Sequence, residues 1–267
     1  MRSVNIISFA IFHDGFLFLR SMKLILKKAH RTFYRYSLAF IFYVLWPFIY
    51  FASRQPSRYP MMNVLRKMCA FFSSTISGIL YKVKMEQPVD WSRTYIICPN
   101  HTSNLDIMSV SLLIKNNFCF IGKHELLENP LLGIFFRTID IPVNRDSKIS
   151  SYKAFKHAGE RLEKGMSVVI FPEGTISKFY PPQLQEFKNG PFRLAIELKI
   201  PILPISSPDT WKVMWDSGSQ YGSRPGICNI FVHQPIETAG RDIEDADALR
   251  DEVYNVIKQK LDEHDHR

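Results

Sequence analysis

His101 and Asp106 stand five positions apart in the run Asn100-His101-Thr102-Ser103-Asn104-Leu105-Asp106, and side chains of these two types together activate an alcohol. Histidine accepts a proton near neutral pH, and a carboxylate beside it fixes the ring tautomer and stabilises the imidazolium that forms. About seventy residues later comes a second polar block, Phe171-Pro172-Glu173-Gly174-Thr175, an acid beside a turn that glycine makes easy. A His and an Asp at this spacing often arise by chance, so the weight rests on the ordered set of blocks.

Both blocks need rigid elements to aim them. From about Thr94 onward, short apolar runs alternate with longer amphipathic ones, the pattern of an α/β fold with a mixed, largely parallel sheet flanked by helices. A strand is expected over 94–98, ending at Pro99, with the His101 to Asp106 block on the following turn and Ser103 or Asn104 capping a helix. Further strands are expected at 118–121, 139–143, 167–171, 200–205 and 227–233. The intervening helices fall at 125–136 (or a pair of turns there), 152–164, 191–199 and about 244–262. Catalytic groups at the carboxyl ends of strands are where an open α/β sheet puts them.

The N-terminal third reads differently. Net charge is +9, and residues 1–90 hold 13 Lys/Arg against 3 Asp/Glu, while 91–267 are balanced at 21 against 22. The uncharged apolar run 37–53 is flanked by Lys23, Lys27, Lys28, Arg31 and Arg35 on one side and by Arg54, Arg58, Arg66 and Lys67 on the other. It is short for a spanning helix, Pro47 is expected to kink it, and basic residues at both ends give no orientation. It is expected to pair with a second apolar stretch, Met68 to Tyr81, as a membrane-associating hairpin whose cations meet anionic head groups. The alternative is a core helix with solvated ends. The chain thus divides into 1–90, membrane-associating, and 91–267, the α/β domain. Nucleic-acid binding is the weaker reading of the same charge, because the aromatic residues sit in apolar runs instead of alternating with the basic ones, and no nucleic-acid partner is expected.

No signal peptide is read in the first twenty residues, where His13 and Asp14 interrupt the apolar run Ile6 to Phe12; Met22 is a second candidate start. Cys69, Cys98, Cys119 and Cys228 show neither disulfide nor zinc spacing and read as buried free thiols on a reducing, cytosolic side, with a reactive nucleophile as the alternative.

These residues resemble the glycerolipid acyltransferase family typified by bacterial 1-acylglycerol-3-phosphate acyltransferase. The resemblance spans about residues 94–206 in four ordered blocks: Asn100 to Asp106; Gly133 to Arg145, ending Ile141-Pro142-Val143-Asn144-Arg145; Phe171 to Thr175; and Ile200-Pro201-Ile202-Leu203-Pro204, preceded by Phe187-Lys188-Asn189-Gly190-Pro191-Phe192. The second block departs from the commonest members around Pro142 and Asn144.

The resemblance implies transfer of a fatty acyl group from an acyl carrier protein or coenzyme A thioester to lysophosphatidate, forming phosphatidate, with no metal and no further cofactor. It makes His101 the general base and Asp106 its orienting partner. Arg145 becomes the phosphate clamp, against the alternative of a salt bridge with Asp140 or Asp146, and Lys188 a second cation. Glu173 would hold the arginine or a glycerol hydroxyl, Gly174 would admit close backbone approach, and Thr175 would donate. The expected partners are membrane lipids, a lyso-lipid and the thioester carrier, at the cytoplasmic face of a membrane, the inner membrane of a bacterium.

Three rivals stay open. The acceptor is another lyso-lipid; or the chain is a lipid hydrolase using Ser103 or another serine, though no Gly-x-Ser-x-Gly elbow is present; or it is a non-catalytic, basic membrane-binding module. His13, His30, His124, His157 and His233 lie outside every block and read as surface or packing residues.

Overall fold

The computed structural model describes the backbone of residues 4–265 and the side chains of 19–264; the side chains of the run Ile6 to Phe12 and of His13 lie outside that set. The chain begins with one helix, α1 (Val4–Ser53), which carries Pro47 within it. A 3-10 turn at Pro56–Arg58 reverses it into α2 (Tyr59–Ile76). The hairpin forms, but its second arm starts earlier than the apolar run suggested and ends sooner. Ile79 to Tyr81 already belong to a strand, β1 (Ile79–Met85).

The remaining elements are β2 (Ile96–Pro99), α3 (Leu105–Leu113), β3 (Phe118–Lys123), α4 (Gly133–Phe136), β4 (Ile141–Val143), α5 (Lys148–Glu163), β5 (Ser167–Val169), α6 (Gly190–Leu198), β6 (Ile202–Ser206), α7 (Thr210–Val213), β7 (Gly226–Val232) and α8 (Ala246–Asp265). The segment expected as a helix or a pair of turns is a 3-10 turn at His124–Glu128 followed by α4.

Seven strands form one sheet in the order β1-β7-β6-β2-β5-β3-β4. Every pairing is parallel except β6 with β7, which is antiparallel. The central strands are covered on both faces, so successive residues enter different cores. Ile96 and Cys98 pack into the cluster that includes side chains of α1, α2, α5, α6 and α8, while Ile97 packs with Val110, Leu113 and Phe120 on the α3 side. Because β1 pairs with β7 along its whole length, the boundary expected at residue 90 does not fall between the hairpin and the sheet. The first sheet strand lies inside the N-terminal third.

Residues Tyr34, Phe42, Leu45, Ile49 and Ala52 recur at helical spacing and are buried, whereas Phe40, Tyr43, Phe48 and Phe51 on α1 are exposed. Leu19–Ser53 is long and apolar enough to cross a membrane by length and composition, yet one of its faces is packed on protein. The upstream part of α1 is gripped by residues 217–223. His30 Nδ1 lies 2.7 Å from Ser223 Oγ and its Nε2 2.8 Å from the Ser77 carbonyl, Arg31 Nε donates to the Ser217 carbonyl at 2.8 Å, and Ser223 N donates to the Lys27 carbonyl at 2.9 Å. Gly222 permits this approach, since a Cβ there would meet Lys27 backbone atoms at 2.4 and 2.5 Å.

A buried ion pair fastens α2 to the domain. Arg66 Nη2 lies 2.7 Å from Asp140 Oδ2, and Asp140 Oδ1 accepts from Phe120 N at 3.0 Å. Phe118, Phe120 and Phe135 surround the guanidinium at 5.4, 5.2 and 4.5 Å. Asp140 is therefore committed to Arg66. Removing one partner strands a buried charge, so Arg66→Ala is expected to cost about 3–5 kcal/mol of unfolding free energy, and the double variant Arg66→Met/Asp140→Leu much less. Equilibrium denaturation of detergent-solubilised protein measures both.

Candidate active site

Strands β6, β2 and β5 are neighbours in the sheet, and their carboxyl ends deliver three segments to one place: Ser207 to Thr210, Asn100 to Asp106, and Phe171 to Thr175. Asn100 continues the β2–β6 ladder with its side chain, donating from Nδ2 to the Ser207 carbonyl at 3.2 Å and accepting from Ser207 N at 2.6 Å. The chain then turns into α3, whose first turn carries Asp106.

Asp106 is fully buried. Its Oδ2 accepts from Thr102 N at 2.7 Å and Ser103 N at 2.8 Å and lies 3.2 Å from His101 Nδ1; its Oδ1 accepts from Thr210 Oγ1 at 2.6 Å. A carboxylate at a helix N-terminus, surrounded by donors, is stabilised there by the orphan amides and by the helix dipole. The His101 ring stacks on Phe171, with centroids 4.0 Å apart and planes inclined by 26°. Two contacts thus fix the ring, one in its plane and one on its face. With Nδ1 turned to Asp106, Nε2 has no partner among the described residues, and the side chain keeps 14% of its surface open. That is the geometry of a general base awaiting a proton.

Glu173 is 4% exposed. Its Oε1 accepts from His101 N at 2.6 Å and its Oε2 from Gln185 N at 2.8 Å. Both oxygens are engaged by backbone amides, and no arginine pairs with them among the described residues. Burial pushes this carboxyl up to about 8, the two amide donors oppose the rise, and the nearby charge of Asp106 adds to it. Gly174 adopts φ +73°, the left-handed region that favours glycine. A Cβ there would sit 3.0 Å from Lys188 Cε and 3.2 Å from its Nζ, so the exposed Lys188 lies along this turn. Thr175 is exposed, and its hydroxyl reaches only the Ile176 carbonyl at 3.4 Å.

Arg145 follows β4 on the same carboxyl edge, three strands along from β2. It is partly buried, which lowers its pKa against the opposing field of Glu125. Neither Asp140 nor Asp146 pairs with it; Asp140 is held by Arg66, and Asp146 N donates to Asn144 Oδ1 at 3.0 Å.

The covalent-nucleophile rivals find no support. Ser103 is fully buried, with its Oγ accepting from Leu105 N at 3.0 Å. A Ser206–His233–Glu86 series does have the donor order of a hydrolase triad, at 2.8 and 2.7 Å. Ser206 is 0% exposed and His233 2%, which leaves no reacting atom open to substrate. All four cysteines are buried, and burial raises each thiol pKa, which opposes thiolate formation.

An acyltransferase family profile matches residues 81–207, the stretch that holds the His101 and Glu173 blocks. Over that stretch, just short of half its length, the chain is similar to the acyltransferase family. It is 29% identical over 211 residues to an uncharacterized acyltransferase of Schizosaccharomyces pombe, covering 78% of this chain and 75% of that one. It is 32% identical over 193 residues to a chloroplastic 1-acyl-sn-glycerol-3-phosphate acyltransferase of Arabidopsis thaliana, covering 72% of this chain and 50% of the relative. The crystal structure of the 1-acyl-sn-glycerophosphate acyltransferase PlsC of Thermotoga maritima superposes with TM-score 0.72 at 22% identity, covering 93% of this chain and 98% of that one. The chain thus spans three quarters of its fission-yeast relative and about half of the chloroplast one.

No motif in the sequence points to Thr210, Gln185 or the Phe171 stacking contact. Thr210 and Gln185 meet the site across 104 and 12 positions, the latter through its backbone amide alone. The protein should reveal Glu173 through its pH dependence. A carboxyl whose folded pKa of about 8 lies above its ordinary 4.5 makes a contribution to stability that is complete below about pH 4.5 and lost as pH rises through about 8. Melting temperature is expected to fall across that interval in the wild type and to fall less in Glu173→Gln, which does not titrate. Thermal melts at a series of pH values test this, and equal slopes would contradict it.

Proposed function

We propose that this acyltransferase transfers a fatty acyl group from a thioester to the free hydroxyl of 1-acylglycerol-3-phosphate, forming phosphatidate at the cytoplasmic face of a membrane, which in a bacterial cell is the inner membrane. The observation that carries the reading is the His101 ring, tied at Nδ1 to buried Asp106 and unpartnered at Nε2 among the described residues.

The steps follow from that geometry. His101 Nε2 takes the acceptor's hydroxyl proton as the oxygen attacks the thioester carbonyl, and Asp106 stabilises the imidazolium. The oxyanion collapses and the C–S bond breaks. The departing thiolate takes the proton back from His101, so the base is regenerated and a free thiol leaves with its carrier, acyl carrier protein or coenzyme A. The acceptor's phosphate suits Arg145, a forked donor set that is partly buried and carries no ion pair among the described residues, with Lys188 as a second cation. Gly174 and Thr175 would line the approach beside them. Basic residues on α1 and its exposed apolar face suit an anionic bilayer surface, where both lipids reside.

The same His101 chemistry serves any lyso-lipid, so the acceptor panel decides between phosphatidate and the other products. Labelled palmitoyl thioesters of both carriers are offered with several lyso-lipids to wild type and His101→Ala. Phosphatidate is expected from the wild type, with His101→Ala slower by about 10²–10⁴-fold. Transfer to a different lyso-lipid alone would reassign the acceptor, and transfer to none would leave a membrane-binding module. Arg145→Ala is expected to raise KM for lysophosphatidate by about 10- to 100-fold, the effect of losing charge-assisted hydrogen bonds, with a smaller change in KM for the thioester.

A further inference from the structure

Three of the four donors around Asp106 converge on one oxygen. Oδ2 takes Thr102 N, Ser103 N and His101, whereas Oδ1 has a single side-chain contact among the described residues, Thr210 Oγ1 at 2.6 Å. Asp106 and Thr210 are both 0% exposed and Thr102 is 7% exposed, so no bulk water competes for these atoms.

The direction of the chain of hydroxyls follows from donor counting. A carboxylate has no proton to give, so Thr210 donates to Asp106. The hydroxyl of Thr102, 3.0 Å from Thr210 Oγ1, then donates to Thr210, giving the relay Thr102 to Thr210 to Asp106. The following segment holds the same loop by its backbone: Asp216 N donates to the Thr102 carbonyl at 3.0 Å and the Asp216 carbonyl accepts from Asn104 N at 2.9 Å. Thr210 lies beyond residues 81–207, the part of the chain matched by the family profile.

We propose that Thr210 is a positioning residue for acyl transfer. Its hydroxyl fixes the rotation of the Asp106 carboxylate so that Oδ2 faces His101 Nδ1 and Oδ1 stays occupied. The inference rests on the reading of His101 as general base. Without the hydroxyl, Oδ1 is a buried acceptor lacking its side-chain donor, and only the contacts at Oδ2 still resist the turn about the Cβ–Cγ bond that misaligns the imidazole.

Thr210→Val keeps the side chain's shape and removes only its hydrogen bonds, Thr210→Ala removes them with less bulk, and Thr210→Ser retains the hydroxyl. In steady-state acyl transfer, kcat is expected to fall about 10- to 100-fold in the Val and Ala variants, the range for losing a hydrogen bond to a charged group. KM for both substrates should stay within about twofold, because the lost interaction orients the base instead of binding substrate. Ser should recover most of kcat. Wild-type kcat in both Val and Ala would overturn the proposal, and so would a Ser variant as impaired as they are, since that pattern reports packing. His101→Ala is measured alongside. Undiminished turnover there would sink the general-base reading itself, whereas an inactive His101→Ala beside fully active Val and Ala variants would sink the role of Thr210 alone.

Discussion

Taking the Asp106 carboxylate wholly out of water is the constraint on which the rest of this structure turns. A charge in that position is tolerated only when donors surround it, and the chain supplies them from two places far apart in sequence. Two backbone amides and the histidine come from the turn after β2, and one hydroxyl comes from the segment after β6. β2 and β6 are therefore required to be neighbours, and their parallel register, with Pro99 opposite Ile205, brings the two turns level. The Asn100 side chain extends that register by one more rung.

Glu173 does the equivalent work on the other flank. It comes from the turn after β5, the strand on the opposite side of β2, and holds the His101 amide while also tying down the loop at Gln185. Two acids thus grip the same short turn from both sides, but only Asp106 touches the imidazole. Burial raises the pKa of Glu173, and the nearby charge of Asp106 adds a smaller part. One carboxyl sits at a helix start with its charge compensated, and the other is pushed toward neutrality by desolvation. His101 is thereby held in plane, on its face and at its backbone, with one nitrogen left over.

Much of this was legible in the chain. The His101 and Glu173 blocks follow runs of apolar residues, and such runs mark buried parallel strands whose ends carry sites. Cys98-Pro99-Asn100 and Ile170-Phe171-Pro172 read that way directly. The basic, acid-poor N-terminal third also announced a helical hairpin. Contacts made by groups common to every residue were hidden: nothing in the letters says that Glu173 meets two amides. Thr210 was hidden for a different reason, because a threonine gains its role only when tertiary structure brings it to Asp106. β1 escaped notice because it is an edge strand. Lys82, Val83, Lys84 and Met85 are all exposed, so it shows neither the alternation of a half-buried strand nor the apolar run of a central one. The partner of Arg66 was likewise invisible, since Asp140 lies 74 positions away.

The placing of β1 and the grip on α1 bear on how the chain is made. β1 has β7 as its sheet neighbour, and α1 is held at Lys27, His30 and Arg31 by residues 217–223. During synthesis, these N-terminal elements leave the ribosome long before the residues that receive them. In the meantime α1 has α2 and then α4 to pack on, as in the Phe42–Phe135 contact, and β1 waits with both edges bare. The last strand is thus the keystone: when β7 enters, it joins the edge strand to the sheet just as the segment before it clasps the helix. Loop closure over such separations is slow, and unpaired edges are prone to aggregate while it proceeds. A bilayer that receives the apolar face of α1 as it emerges would shelter the nascent chain through that interval.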